Sequence, residues 1–223
     1  MGSHPINPTL TVKAHDRPMT NYRRIRFKGG SYFFTVALER RGSSLLTDHI
    51  DDLRAAYAAT WQSYPWRCDA FVVMPDHLHA VWTLPGGDVD YSMRWRLIKA
   101  RFSRAVGLYG YRSKSKREKS ERGIWQRRFW EHTIRDKEDY DAHIRYCWGN
   151  PVKHGLCNAP MDWPYSSIHR DIRLGKVDPE WTRRMGGPHP SQFLVGGAGK
   201  MGAEHPSYGE MRPIASIIEG ARS

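Results

Sequence analysis

The chain has 223 residues, of which 39% are hydrophobic, 26% charged and 12% aromatic, enough apolar material for a packed core of one to two domains and too much for wholesale disorder. Its apolar runs are only a few residues long, as in Phe71-Val72-Val73-Met74, so nothing reads as a membrane span, and the first residues lack the apolar stretch of a secretion signal. Cys68, Cys147 and Cys157 have no paired spacing, which argues against a disulfide framework or a cysteine zinc site and fits a reducing cytoplasm.

Residues 1–21 are polar and read as a flexible N-terminal arm. Arg23, Arg24, Arg26 and Lys28 form a basic lead-in to a Gly29-Gly30 turn. Residues 31–38 are rich in β-formers and predict a strand. Leu46, Ile50, Leu53, Tyr57 and Trp61 recur at helical spacing and predict an amphipathic helix. Residues 68–74 and 77–84 read as two further strands about a Pro75-Asp76 turn. A second helix over 92–106 turns Trp95, Ile98, Phe102 and Ala105 inward and places Arg94, Arg96, Lys99, Arg101 and Arg104 on its outer surface. Residues 111–122 lack apolar periodicity and read as a mobile basic loop. An extended segment and strand over 125–134 and a third helix over 136–149 follow. The main domain is expected over 22–175, and the Gly- and Pro-rich extension over 176–223 is expected to be poorly ordered. This order of elements predicts an α+β, ferredoxin-like sandwich whose antiparallel sheet carries helices on one face.

The charge is unevenly placed. Residues 90–137 hold 15 basic and 5 acidic side chains, a net +10, whereas the rest of the chain carries only +2. Such a block is a footprint for a polyanion, most often nucleic acid, although a solvated surface is the plainer reading of any charge run. Here the cations are interleaved with Trp95, Phe102, Tyr109, Tyr111, Trp125, Phe129 and Trp130. Rings that stack on unpaired bases, beside cations that follow phosphates, are what single-strand binding uses. Trp95 and Phe102 read instead as core.

His77 and His79 flank Leu78 in a predicted strand, so both imidazoles project from one side while Leu78 points into the core. Two such imidazoles can ligate one divalent ion, but the pattern alone is weak, and no C-x-x-C or H-E-x-x-H accompanies it. In the third helix Tyr140, Ile144, Cys147 and Trp148 share one apolar arc. Tyr146 and Asn150 are one turn apart on a different face, with His143 beside them. A tyrosine off the apolar arc is either a rim hydroxyl or a nucleophile. Asn150 reads as an oxygen donor completing a His-His-Asn metal site, as a C-terminal helix cap before Pro151, or as both.

The ordered blocks Met74-Pro75-Asp76-His77-Leu78-His79, Arg94-Trp95-Arg96-Leu97-Ile98-Lys99, Trp125-Gln126-Arg127-Arg128-Phe129-Trp130-Glu131-His132, Tyr146, Asn150-Pro151-Val152-Lys153-His154-Gly155 and Trp163-Pro164-Tyr165-Ser166-Ser167 resemble the REP-associated tyrosine transposases. The resemblance spans residues 22–175 and implies the HUH class of single-stranded DNA endonucleases and strand transferases. In that class a divalent metal, Mg²⁺ or Mn²⁺, polarises the scissile phosphate, and one tyrosine attacks it to leave a 5′-phosphotyrosine and a free 3′-OH. Carried over, His77, His79 and Asn150 stand at the metal positions and Tyr146 at the nucleophile. The implied substrate is the REP palindrome, which folds as an imperfect hairpin preceded by a tetranucleotide. Arg23, Arg24, Arg26 and Lys28 would touch the tetranucleotide, and Arg94, Arg96, Lys99, Arg127, Arg128 and Lys153 the hairpin phosphates. The same fold without chemistry would serve as a hairpin nucleic-acid-binding protein. A monomer, free of any membrane, is the expected form.

Overall fold

The structure, a computed structural model, describes residues 26–108 and 110–184. The predicted arm, Arg23, Arg24 and residues 185–223 of the predicted extension lie outside the described residues. In chain order the elements are β1 (Ser31–Ala37), α1 (Leu45–Asp48), α2 (Ile50–Ser63), β2 (Arg67–Val73), β3 (His77–Thr83), α3 (Tyr91–Val106), α4 (Lys114–Glu118), β4 (Trp130–Thr133), α5 (Lys137–Lys153), a 3₁₀ turn (Pro160–Asp162), α6 (Ile168–Arg173) and α7 (Pro179–Arg184). The four strands form one sheet in the order β2-β3-β1-β4, and every neighbouring pair is antiparallel. This is the split βαβ arrangement of an α+β fold.

The predicted restriction of helices to one face is corrected. The central strands carry bulky apolar groups at both parities, so each face of the sheet needs cover. Tyr32, Phe34 and Val36 of β1 and Leu78, Ala80 and Trp82 of β3 face a core shared with α2 and α3. Phe33, Val72 and Val81 face the opposite way, into a second core with Ile144, Cys147 and Trp148 of α5 and Ile168 of α6. All seven residues of β3 are buried. The crossover helices α2 and α3 thus take one face, and α5 and α6 the other.

Three local readings also change. The helix predicted through Leu46 and Trp61 breaks at His49, where the backbone leaves helical geometry (φ −113°, ψ 39°). Residues 111–122 are not a featureless loop. Ser113 caps α4 through its side chain, and Lys116 Nζ reaches Glu39 Oε2 at 2.8 Å, so a cap and an ion pair replace the missing apolar stripe. Ala105, expected inside, is exposed. Ordered packing also continues past Gly175, because Trp181 of α7 sets its ring edge-on to Trp148 at 6.3 Å and Thr182 is buried. Cys68, Cys147 and Cys157 are all free thiols. Among the described residues no helix is long and apolar enough to cross a membrane.

Candidate active site

The site forms where α5 crosses β3. Period-two alternation turns His77 and His79 toward α5 while Leu78 enters the α2–α3 core. Both imidazoles are buried, at 6% and 3% exposure, and their ring centroids are 5.1 Å apart. Each is oriented through Nδ1. His77 Nδ1 lies 2.6 Å from Asp76 Oδ1. A carboxylate only accepts, so Nδ1 carries the proton and Nε2 keeps its lone pair. Asp76 is itself fixed by the Gly42 N–H at 2.8 Å and Arg41 Nε at 3.3 Å, both on Oδ2. On His79, Nδ1 is engaged by Thr35 Oγ1 at 2.9 Å.

Burial sets the charge state of the pair. Desolvation lowers the proton affinity of His77 against the opposing pull of Asp76. Burial pushes His79 down to about 3, and the neighbouring His77 adds to the effect. Asp76, despite its own burial, is held below the usual carboxylate range by the hydrogen bond from His77 and the Gly42 amide. At neutral pH the two rings are therefore neutral imidazoles rather than cations, each with a lone pair to offer.

The helix above supplies the remaining groups. Tyr140, Ile144, Cys147 and Trp148 pack into the second core as their spacing predicts. Tyr146 is 43% exposed. Its ring stands 5.4 Å from that of His79 and 5.6 Å from that of Phe33, edge-on to both, and Lys153 Nζ lies 5.1 Å from its centroid. Asn150, one turn on, is buried against His79. Its Nδ2 donates to the Tyr146 carbonyl at 3.2 Å, while Oδ1 is buried beside the His79 imidazole without a well-formed hydrogen bond among the described residues. Such an oxygen beside two neutral imidazoles fits a divalent cation, which accepts that donor set.

Asn150 is not a C-terminal cap. Helix α5 runs through Pro151 to Lys153, and His154 is the cap. The amides of His154, Gly155 and Leu156 close on the carbonyls of Asn150, Val152 and Pro151, with Gly155 at φ 67° in the left-handed region. The paired bonds of Gly155 and Leu156 form a Schellman closure, and its left-handed position suits glycine. His154 is thereby brought against His77, ring centroids 5.2 Å apart. The prediction omitted His154 and Asp76, although both sit inside the quoted blocks.

A second group of titratable side chains lies across Phe33, whose ring is 5.3 Å from His79 and 4.9 Å from His143. His132, Asp139 and His143 bring three ligand-type atoms within 4.8 Å of one another. Asp139 Oδ2 is 2.8 Å from His132 Nε2 and accepts the Arg135 amide at 3.0 Å. Although burial opposes it, these contacts hold the Asp139 carboxyl below its ordinary range. His143 Nδ1 is turned back to the Asp139 carbonyl at 2.8 Å.

The predicted DNA-binding cations divide sharply. Arg94 is corrected: it is 2% exposed. Its guanidinium reaches Asp88 Oδ2 at 2.6 Å and the carbonyls of Tyr64, Pro65 and Asp90 at 2.9–3.1 Å, tying α3 to the α2–β2 connection. Lys99 turns to the Gln126 carbonyl at 3.0 Å. Arg26 lies over the Tyr91 ring and donates to Ser92 Oγ at 3.1 Å. Arg127 pairs with Glu121 at 3.1 Å yet is exposed. Lys28, Arg96, Arg128 and Lys153 are exposed. Trp130 is also open, at 54%, and stacks on His132 with planes 12° apart.

An antiparallel sheet that presents a histidine pair to a helix-borne tyrosine is the arrangement of the HUH tyrosine transposases. The chain is 45% identical over 164 residues to the REP-associated tyrosine transposase of Escherichia coli (strain K12), spanning 74% of this chain and 92% of the relative. A Haemophilus influenzae protein carrying the same name in provisional form is 44% identical over 164 residues, across 73% and 93% of the two chains. A solved structure of a REP-associated tyrosine transposase bound to a REP hairpin superposes with a TM-score of 0.67 at 40% identity, covering 82% of this chain and all of that one. The chain matches no protein-family model. It belongs to the REP-associated tyrosine transposases. Enzymes of the HUH class use a divalent metal ion.

Proposed function

We propose that this transposase nicks and rejoins single-stranded DNA at REP-type hairpins. Tyr146 is the nucleophile, and His77, His79 and Asn150 hold a divalent ion, Mg²⁺ or Mn²⁺. The observation that carries this reading is the approach of the half-exposed Tyr146 ring to within 5.4 Å of the buried His79 ring. The relative bound to a REP hairpin supports the substrate class.

When bound, the ion supplies Lewis-acid polarisation of the scissile phosphate, worth several kcal/mol of transition-state charge. The chain's own groups do the rest. Tyr146 Oη forms a bond to phosphorus as the P–O3′ bond breaks, and its proton passes to water on the open side of the ring. The departing 3′ oxygen takes up a proton and becomes a free 3′-OH, while the 5′ phosphate stays on Tyr146. Attack of another 3′-OH on that phosphotyrosine reverses the step, so joining needs no nucleotide cofactor. Lys153, over the Tyr146 ring, counters phosphate charge at the reacting centre. Lys28, Arg96, Arg127 and Arg128, all exposed, follow phosphates of the bound hairpin. One copy of the chain contains all these groups, which supports action as a monomer.

Incubating the protein with an end-labelled REP-like hairpin and Mn²⁺ tests the reading. A covalent protein–DNA band is expected, lost with EDTA or in Tyr146→Phe, while the Phe variant still shifts the hairpin in a gel. Hairpin binding without any metal-dependent adduct would instead make the protein a non-catalytic hairpin binder.

A further inference from the structure

The stripe of α5 that carries Tyr146 and Asn150 has a third member. Tyr146, Asn150 and His154 are spaced i, i+4, i+8, so they rise one turn above another on the same face. Beneath them β3 presents His79 and His77 two residues apart. Helix and strand are paired at both ends of the site: Tyr146 sits against His79 at 5.4 Å, and His154 against His77 at 5.2 Å. Asn150 lies between. The spacing from His77 to His154 matches that from His77 to His79, 5.1 Å, and both ring pairs are steeply inclined, at 66° and 83°.

His154 is not placed there by chance of rotamer alone. Its backbone is pinned at the end of α5 by the Schellman closure, with its own amide bonded to Asn150 O at 3.0 Å. Among the described residues its imidazole nitrogens have no hydrogen-bond partner, whereas His77 and His79 have Nδ1 engaged. An exposed imidazole beside a buried one, with no protein group on its nitrogens, is free to turn a lone pair toward the same point.

We propose that His154 is a further protein ligand of the divalent ion, so that the site offers three imidazole nitrogens and the Asn150 oxygen. The inference rests on the preceding reading of His77, His79 and Asn150 as the metal site. It has a consequence for metal choice. A third imidazole strengthens binding of nitrogen-favouring first-row ions such as Co²⁺ and Zn²⁺, but adds little for Mg²⁺, which prefers oxygen and water.

The test uses the full-length apo protein in a His132→Ala background, so that the His132–Asp139–His143 group does not contribute. Co²⁺ is titrated by calorimetry and by its visible d–d absorption, and Mg²⁺ by calorimetry alone. His154→Ala is expected to weaken Co²⁺ by about tenfold or more and to alter the d–d bands, while Mg²⁺ affinity stays within about twofold. His154→Asn, which keeps a compact polar residue at the helix end, is expected to do the same at unchanged melting temperature. Wild-type Co²⁺ affinity and spectrum in both variants, together with loss of Co²⁺ binding in His79→Ala, overturn the role of His154 alone. If His79→Ala also binds Co²⁺ like the parent, the underlying assignment of the metal site falls with it.

Discussion

Thr35 and His79 are direct partners across β1 and β3, and the Thr35 hydroxyl lies 2.9 Å from Nδ1 of the imidazole. With Nδ1 donating to that oxygen, Nε2 keeps its lone pair and the ring is held in one orientation. Thr35→Val removes the contact at nearly constant volume. Metal affinity is expected to fall by about 10- to 100-fold, with Thr35→Ser recovering most of it. Mn²⁺ titration followed by electron paramagnetic resonance reads the change. Equal affinity in the Val variant would falsify the orienting role.

Burial of neutral imidazoles ties stability to pH. His79 titrates at 6.5 when exposed but about 3 in the fold. Its proton is therefore bound by the unfolded chain first. The stability this residue contributes is complete above about pH 6.5 and is lost as pH falls toward 3. Between pH 7 and pH 5 that loss is about 2 kcal/mol, and the lowered His77 and His143 act in the same direction. Urea denaturation of the metal-free protein at both pH values measures it. The pH slope is expected to flatten in His79→Asn.

Arg94 and Arg96 are two residues apart in α3 but have opposite fates. Removing the buried Arg94 takes its guanidinium from Asp88 Oδ2 and from the Tyr64, Pro65 and Asp90 carbonyls. Arg94→Ala is expected to cost about 3–5 kcal/mol of stability. Arg96→Ala should leave the melting curve in place and weaken hairpin binding, with a shallower salt dependence. Denaturation and gel-shift titrations at two salt concentrations separate the two.

Trp130 pairs with Thr35 on the far side from His79, so its ring continues the same row of the sheet face. Held between His132 and the edge of Phe33, it would give an unpaired base a ready-oriented ring to stack on. Trp130→Ala is expected to weaken binding of hairpins with single-stranded flanks by roughly tenfold, in line with about 1–3 kcal/mol per stacked base. Trp130→Phe should recover part of the loss. A hairpin trimmed of its flanks should not distinguish the variants.

What could be read from residues alone follows the physics of short-range repeats. Alternation in β3 separates His77 and His79 from Leu78, and the helical period sets Tyr146 apart from the Ile144–Trp148 stripe. The misreadings turn on contacts and chain paths that no short-range repeat encodes. Arg94 looks like a surface cation until the 85–90 turn brings Asp88 beneath it. Residues 114–118 become a helix through an ion pair to Glu39. His154 joins the site only because α5 continues through Pro151, where the residue before a proline ordinarily signals a stop. Helices on both faces were foreshadowed in the two-sided apolar content of β1 and β3, which an alternating pattern obscures.

The helix that bears Tyr146 is fastened to the sheet by a residue far along the chain. Ser167 Oγ accepts from Trp148 Nε1 at 3.0 Å and from the Phe71 amide at 2.9 Å, while Trp163 Nε1 donates to the Val73 carbonyl at 2.8 Å. A shortened protein ending before Trp163 would retain every reacting group and yet lose the clasp that keeps the phenol in register with the imidazoles. Trimming for crystallisation or fusion therefore has to stop beyond this clasp, whatever the apparent completeness of the catalytic blocks upstream.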